Sequence, residues 1–350
     1  MLVYENEVVQ KDMQDLISRK TKWGKLKNKT VLITGASGML ATYIVYTLMT
    51  LNLKDNFNIK IICLVRNEEK AKAKFSSFIY KPNFELLVQD VTNKIDFNEK
   101  IDFIIHAAGN ASPKYILLDP VGIIKANTLG TLNVLELARK NKVENVLYLS
   151  TREIYGKNIS LVDNITENDY GIVDCLDLRS CYPESKRVAE TMLKSYFYQY
   201  NIPFTIARLA HAYGPGMNID NDGRVMSDFI SDVVNNRNIV LKSDGSAVRA
   251  FCYITDAVFG LFKVLLEGKI GEAYNIANEN EPLMIRDVAK QLVANFAEKD
   301  LEVVYDLPKE KSAGYSKMGR TKLDTRKLKD LGWECKIELK DGLEKTVKSF

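Results

Sequence analysis

Tyr182 and Lys186 stand four residues apart in Tyr182-Pro183-Glu184-Ser185-Lys186. On a helix that interval puts a phenol and an ammonium on one face. A free tyrosine ionises at about pH 10, and a neighbouring cation favours the phenolate. The pair therefore suits a general base that takes a proton from a hydroxyl, and Lys186 can also hold a cofactor ribose. Pro183 disfavours helical geometry at Tyr182 yet suits the opening of a helix, so Tyr182 is expected at a helix edge. A second set of polar groups lies in Ser150-Thr151-Arg152-Glu153-Ile154-Tyr155-Gly156. Thr151 can hydrogen-bond a substrate hydroxyl, and Glu153 can act as acid or base. A polar turn closing a strand is the plainer account of this stretch.

Groups this far apart in sequence need a scaffold. Val31-Leu32-Ile33 reads as a buried strand, followed by a turn in Gly35-Ala36-Ser37-Gly38 and a helical pattern from Met39 to about Thr50. Gly35 allows a tight turn, and Gly38 lets backbone approach a ligand with no Cβ between. Free N–H groups at Met39 and Leu40, with Ser37, then suit a pyrophosphate. Ala41 holds the place of a third glycine. Further strands are expected at Lys60–Val65, Phe84–Val88, Phe103–Ile105, Asn145–Leu149 and Phe204–Ala207. Helices are expected at Glu68–Phe78, Val121–Asn141 and Glu184–Tyr200. Strands alternating with helices argue an α/β, doubly wound parallel sheet. In such a sheet the strand ends face the ligand crevice. That assigns Arg66 to the cofactor ribose, Asp90 and Val91 to the adenine, and Ala107, Ala108 and Gly109 to a close pass by the dinucleotide. An acid at position 66 would favour NAD. Arginine there can grip the 2′-phosphate of NADP or be a surface charge, so NAD and NADP both stay open. His106 reads as a satisfied core histidine.

The chain has 350 residues, 46% hydrophobic and 27% charged, with net charge +4. These values suit a large-cored enzyme, and the charge is too diffuse to imply nucleic acid. Two histidines make a histidine-based metal site improbable. Five cysteines (63, 175, 181, 252 and 335) show no CxxC spacing and suit reduced thiols in a cytoplasmic protein. No apolar run suggests a membrane span. Residues 1–28 precede the first strand, and Val8 to Lys20 are expected to form a short amphipathic helix that packs on the body or on a second subunit. The rhythm changes at Tyr213-Gly214-Pro215-Gly216. The expected division is 29–208 with about 247–278 for the dinucleotide, and 209–246 with 279–350 for the substrate.

Glycine turn, Ser-Thr and Tyr-x-x-x-Lys, in this order, resemble the extended short-chain dehydrogenase/reductase family. Asn127-Thr128-Leu129-Gly130-Thr131-Leu132-Asn133 resembles its middle helix, and Leu331-Gly332-Trp333 its C-terminal signature. The resemblance spans about Lys29 to Thr346. It implies a Rossmann fold with a smaller C-terminal substrate-binding region, NAD or NADP as cofactor, and a nucleotide-diphosphate sugar oxidised at C4. It also implies a homodimer built on Val121–Asn141 and Glu184–Tyr200. Within the family, Ala111-Ser112-Pro113, Arg179-Ser180-Cys181-Tyr182, Asp222-Gly223-Arg224 and Arg249-Ala250-Phe251 are similar to the UDP-glucuronate decarboxylases. That likeness implies that Ser112, Arg224 and Arg249 lie at the substrate, where arginine suits phosphate oxygens. As isolated residues they would be ordinary surface charges.

The chain also departs from the pattern. Arg152 stands where those decarboxylases have serine and 4,6-dehydratases have an aspartic acid. Arginine cannot donate a proton near neutral pH, so 4,6-dehydration is disfavoured, and Arg152 can instead bind a carboxylate or phosphate. His211 replaces the usual asparagine, and Gly216 an arginine. Decarboxylation, 4-epimerisation and 4-oxidation remain open. A non-catalytic dinucleotide-binding module is opposed by Thr151, Tyr182 and Lys186, because binding alone needs no activated phenol.

Overall fold

The computed structural model describes residues 2–157, 164–220, 222–307 and 322–350. Seven strands form the central sheet: β1 (Thr30–Thr34), β2 (Lys60–Val65), β3 (Phe84–Val88), β4 (Phe103–His106), β5 (Asn145–Thr151), β6 (Phe204–Leu209) and β7 (Glu272–Ile276). Their order is β3-β2-β1-β4-β5-β6-β7, and every neighbouring pair is parallel. Sequence order reverses between β1 and β4, which opens the crevice where this architecture takes ligands. Buried apolar residues on both faces explain the near-continuous Val31-Leu32-Ile33 and Ile61-Ile62-Cys63-Leu64 runs.

Helices α1 (Glu7–Ser18), α2 (Met39–Asp55), α3 (Glu68–Lys74), α4 (Pro113–Leu118), α5 (Pro120–Asn141) and α6 (Cys181–Tyr200) flank this sheet. The edge strand β7 has no apolar run, and its sequence alone gives no strand signal. Pairing with β6 makes it one, and buried Asn275 ties it down by accepting from the Tyr155 hydroxyl at 2.6 Å.

The N-terminal segment packs on the body as expected. Asn6 caps α1 by accepting from the Val8 N–H at 3.0 Å, and Val9, Met13 and Leu16 are buried. Because α1 covers α2, residues 41–51 of α2 are buried on every face, which is why that helix carries no polar stripe. Arg19 extends the docking. It pairs with buried Asp256 at 2.6 Å, whose other carboxylate oxygen accepts from the Lys336 and Ile337 N–H groups at 3.0 Å.

Outside the main sheet, Cys252–Tyr253 pairs with Ala212–Tyr213, and Val248–Arg249 pairs with Leu283–Met284. Among the described residues no helix is long and apolar enough to cross a membrane, and no cluster of His, Cys, Asp and Glu could hold a metal ion.

Candidate active site

The glycine turn meets the segment after β4 backbone to backbone. Gly35 has φ +64°, and a Cβ there would lie 2.8 Å from the Ala108 Cα. Gly109 has φ +149°, and a Cβ there would lie 2.8 Å from Asn127 Oδ1 and 3.5 Å from Lys186 Nζ. The expected cofactor residues Gly35, Gly38, Ala107, Ala108 and Gly109 thus share one crevice with Lys186. A dinucleotide fits this cradle, because glycines stand where its backbone walls close in and Gly38 opens α2 with free N–H groups.

A hydrogen-bond chain holds the crevice wall. The Thr131 hydroxyl donates to the Asn127 carbonyl at 2.6 Å, so its oxygen accepts from His106 Nε2 at 3.1 Å. In the neutral ring Nδ1 then accepts from the Thr34 hydroxyl at 2.7 Å, and Thr34 Oγ1 accepts from the Ala108 N–H at 3.1 Å. Burial pushes His106 down to about 3, so it is a neutral structural link.

At the nicotinamide end of such a crevice, α6 brings Tyr182 and Lys186 to the C-terminal end of β5. Tyr182 lies in the first turn of α6, at the helix edge as its proline neighbour predicts. Asn127 of α5 donates to Ser185 Oγ at 2.9 Å, and that hydroxyl donates to the Cys181 carbonyl at 2.6 Å. This joins the two helices beneath the site. Tyr182 is buried, with Thr151 near enough to favour its phenolate.

The expectation that Lys186 tunes Tyr182 needs correction. The Lys186 ammonium donates to the Leu149 carbonyl at 2.8 Å and lies 4.6 Å from the Tyr148 ring centre. Burial pushes Lys186 down to about 8. Burial, then the Glu153 carboxylate, hold Tyr182 above its ordinary value, and what pulls it back is the Thr151 hydrogen bond with Arg224 and Arg179. Glu153 is likewise not a free acid, since it pairs with Arg179 at 2.7 Å.

The expected substrate residues fall into two groups. Ser112 donates to the Asp222 carbonyl at 2.8 Å, and Arg224 pairs with the Asp222 carboxylate. Arg152, His211 and Arg249 line one small cleft with Glu279. The Arg152 guanidinium is 7% exposed, makes no hydrogen bond or ion pair among the described residues, and is held down to about 10 by burial and by Arg249. His211 has φ +45°, and its buried Nε2 has no hydrogen-bond partner among the described residues. Burial, Arg152 and Arg249 keep it neutral.

Residues 31–277 match the sequence pattern of the NAD dependent epimerase/dehydratase family. The chain belongs to that family. Its curated relatives include UDP-glucuronic acid decarboxylase 6 of Arabidopsis thaliana, 37% identical over 326 residues that cover 92% of this chain and 89% of that one. UDP-glucuronic acid decarboxylase 1 of Xenopus tropicalis is 33% identical over 326 residues, 92% of this chain and 72% of that one. Among solved structures, UDP-glucose 4-epimerase of Thermotoga maritima shares the fold, with a TM-score of 0.77 at 23% identity, over 91% of this chain and 98% of that one.

Several of the expected cofactor residues also make contacts within the protein. Val91 is buried, and a Cβ on Gly130 of α5 would lie 2.9 Å from it, so it packs in the core. Asp90 accepts from the Thr92 N–H and hydroxyl at 2.9 and 2.8 Å, and faces Arg66 at 3.6 Å. Burial works against the Asp90 carboxylate, but the Thr92 bonds and Arg66 keep it below its ordinary range. The Ser37 carbonyl accepts from Lys74, while Met39 and Leu40 pack against the core. Gly216 has φ +81°, and a Cβ there would meet Leu2 at 2.9 Å; the docked N-terminal segment occupies that space. Lys74 and Arg179 escape sequence reasoning, because neither lies at a telling interval from another reactive group.

Proposed function

We propose that the chain is an NAD-type, dinucleotide-dependent enzyme that oxidises C4 of a nucleotide-diphosphate sugar, with a UDP-uronic acid as substrate and decarboxylation as the outcome. The observation that carries this reading is the gathering of Thr151, Tyr182, Lys186 and Gly109 at the C-terminal edge of the sheet, with Thr151 near enough to Tyr182 to favour its phenolate. The cationic cleft of Arg152 and Arg249 supports an anionic substrate, and the names of the curated relatives support the uronic acid.

Gly35, Gly38, Ala107, Ala108 and Gly109 would hold the dinucleotide, whose nicotinamide supplies a hydride acceptor. Thr151 orients the C4 hydroxyl, and Tyr182 takes its proton. Tyr182 begins as a neutral phenol, so substrate contact and the cations Arg224 and Arg179 must draw it toward the phenolate. Lys186 would hold the cofactor ribose. A ketone at C4 stands β to a carboxylate on C5, so the C5–carboxylate bond can break with its electron pair moving toward the ketone oxygen. Arg152 has no proton to give a leaving hydroxyl, and Glu153 is paired with Arg179, which disfavours 4,6-dehydration.

The test is incubation of purified protein with a panel of nucleotide sugars, read by mass spectrometry. Loss of CO₂ from UDP-glucuronate is expected. Unchanged mass would replace the proposal with epimerisation, loss of two hydrogens with simple oxidation, and loss of water would overturn the argument from Arg152. We propose, too, a homodimer through α5 and α6, supported by exposed Leu129, Leu132 and Val188 on those packed helices. Light scattering at twice the chain mass is the expected result.

A further inference from the structure

Asp12 of α1 is a fully buried carboxylate in the segment that precedes the sheet. Its Oδ2 accepts from the Tyr43 hydroxyl at 3.0 Å and from the Tyr253 hydroxyl at 2.7 Å, and its Oδ1 pairs with Lys345 Nζ at 3.1 Å. One side chain thus joins α2, which opens at the glycine turn, to the short strand Cys252–Tyr253 and to the last helix, Leu339–Lys348. Asp12 and Lys345 both lie outside the residues 31–277 that match the family pattern, so that pattern does not account for the junction.

Placing an ion pair in the interior costs solvation, and apolar residues of similar volume often hold such a place as well or better. What the carboxylate adds over apolar packing is direction, because two tyrosine hydroxyls must come to one oxygen. Helix α1 already has apolar anchors in Val9, Met13 and Leu16, and Arg19 docks its end through Asp256. Docking alone therefore does not require Asp12.

The strand that Asp12 grips leads to the cationic cleft. The Cys252 N–H donates to the His211 carbonyl at 3.1 Å, and Cys252–Tyr253 pairs in parallel with Ala212–Tyr213. The Phe251 ring lies 5.6 Å from the His211 ring, and the Tyr253 ring meets Tyr213 edge-on at 5.7 Å. His211, Arg249 and Ala250 line the cleft opposite Arg152, which sits on the turn after β5. A shift of this strand moves Arg249 and His211 together relative to Arg152.

We propose that Asp12 is a positioning residue for substrate: by holding the Tyr253 hydroxyl it sets Arg249 and His211 against Arg152 for an anionic substrate. The inference rests on the reading of that cleft as the substrate's and adds what aligns it.

Tyr253→Phe and Tyr43→Phe test it as a pair, since each keeps the carboxylate with its Lys345 partner and removes one bond to the same oxygen. If Asp12 only stabilises the fold, the two variants behave alike. The readouts are KM for UDP-glucuronate with NAD+ present, and alkylation of Cys252 by iodoacetamide, followed by peptide mass spectrometry. Cys252 is fully buried on the gripped strand, so its labelling reports how firmly that strand is seated. Tyr253→Phe is expected to raise KM about tenfold and keep kcat within about threefold, the split that marks lost binding. It should also speed Cys252 labelling about tenfold through local opening. Tyr43→Phe should leave KM and the labelling rate within about threefold of the unaltered protein, and both variants should keep the NAD+ dissociation constant within the same range, which shows that they are folded. Equal effects of the two variants on KM or on labelling, or no effect of Tyr253→Phe, would overturn the positioning role. Absence of turnover in the unaltered protein would remove the decarboxylation reading alone, and Cys252 labelling would still decide whether Asp12 seats the strand.

Discussion

Two buried lysines each meet a main-chain carbonyl, one at the end of β5 and one in the glycine turn after β1. Lys186 donates to the Leu149 carbonyl at 2.8 Å, and Lys74 donates to the Ser37 carbonyl at 2.9 Å. Burial pushes both down to about 8. Their local physics is nearly the same, yet their surroundings differ. Lys186 stands with Tyr182, Thr151 and Gly109, the groups proposed to take a proton from a carbinol. Lys74 has Lys70 as its charged neighbour and pairs with no carboxylate among the described residues. A buried ammonium is therefore not a function in itself, and the groups within reach decide whether it supports chemistry. Arg19 marks the third possibility. It is as deeply buried, but it has Asp256 at 2.6 Å and serves only to dock the N-terminal segment.

The comparison can be broken most sharply at the Lys186 end. Tyr182→Phe should lower turnover by about 10²–10⁴-fold, the usual worth of a positioned general base, while the dinucleotide dissociation constant stays within about threefold. A variant that keeps its turnover would dismiss Tyr182 as the base. Arg19→Ala should destabilise by about 3–5 kcal/mol in urea unfolding, because it strands the Asp256 carboxylate in the interior.

Lys74→Met should do the opposite. The folded value of Lys74, about 8, lies below its unfolded value of 10.5, so between these pH values the unfolded chain binds more protons. Stability then rises with pH across that window, and the penalty is full below pH 8. The variant should gain up to about 3 kcal/mol at pH 7, a gain that fades toward pH 10.5. Urea unfolding at pH 7 and at higher pH checks both sign and window. A flat difference would mean that the ammonium is not the source. At the cleft of Arg152 and Arg249, Arg152→Met should raise KM for UDP-glucuronate by roughly 10–100-fold through loss of a charged hydrogen bond. UDP-glucose, which lacks the carboxylate, should be indifferent. The smallest effect is expected at Ser185→Ala, about 1 kcal/mol of stability through the lost Asn127 bond.

Much of the scaffold was legible because its signals are local. The apolar runs of β1, β2 and β4 and the glycine turn need no knowledge of the rest of the chain. The strands Lys60–Val65 and Phe84–Val88 fall where the pattern puts them. β7 was not legible, because Glu272-Ala273-Tyr274-Asn275-Ile276 becomes a strand only through β6. The site shows the same division. The four-residue interval between Tyr182 and Lys186 guarantees a shared helix face, but which carbonyl Lys186 meets depends on β5. Glu153 read as an available acid until Arg179, 26 positions later, closed on it.

By itself the sequence determined the doubly wound order, the place of the crevice and the identities of Thr151, Tyr182 and Lys186, because turns, helix faces and strand periods are set by neighbours in the chain. Tertiary structure alone decided the state of those groups. Burial raised Tyr182, the Leu149 carbonyl engaged Lys186, and folding brought Arg152, His211 and Arg249 into one cleft and Lys74 to the glycine turn. Charge and solvation are properties of a surrounding volume, and that volume is filled by residues far away along the chain.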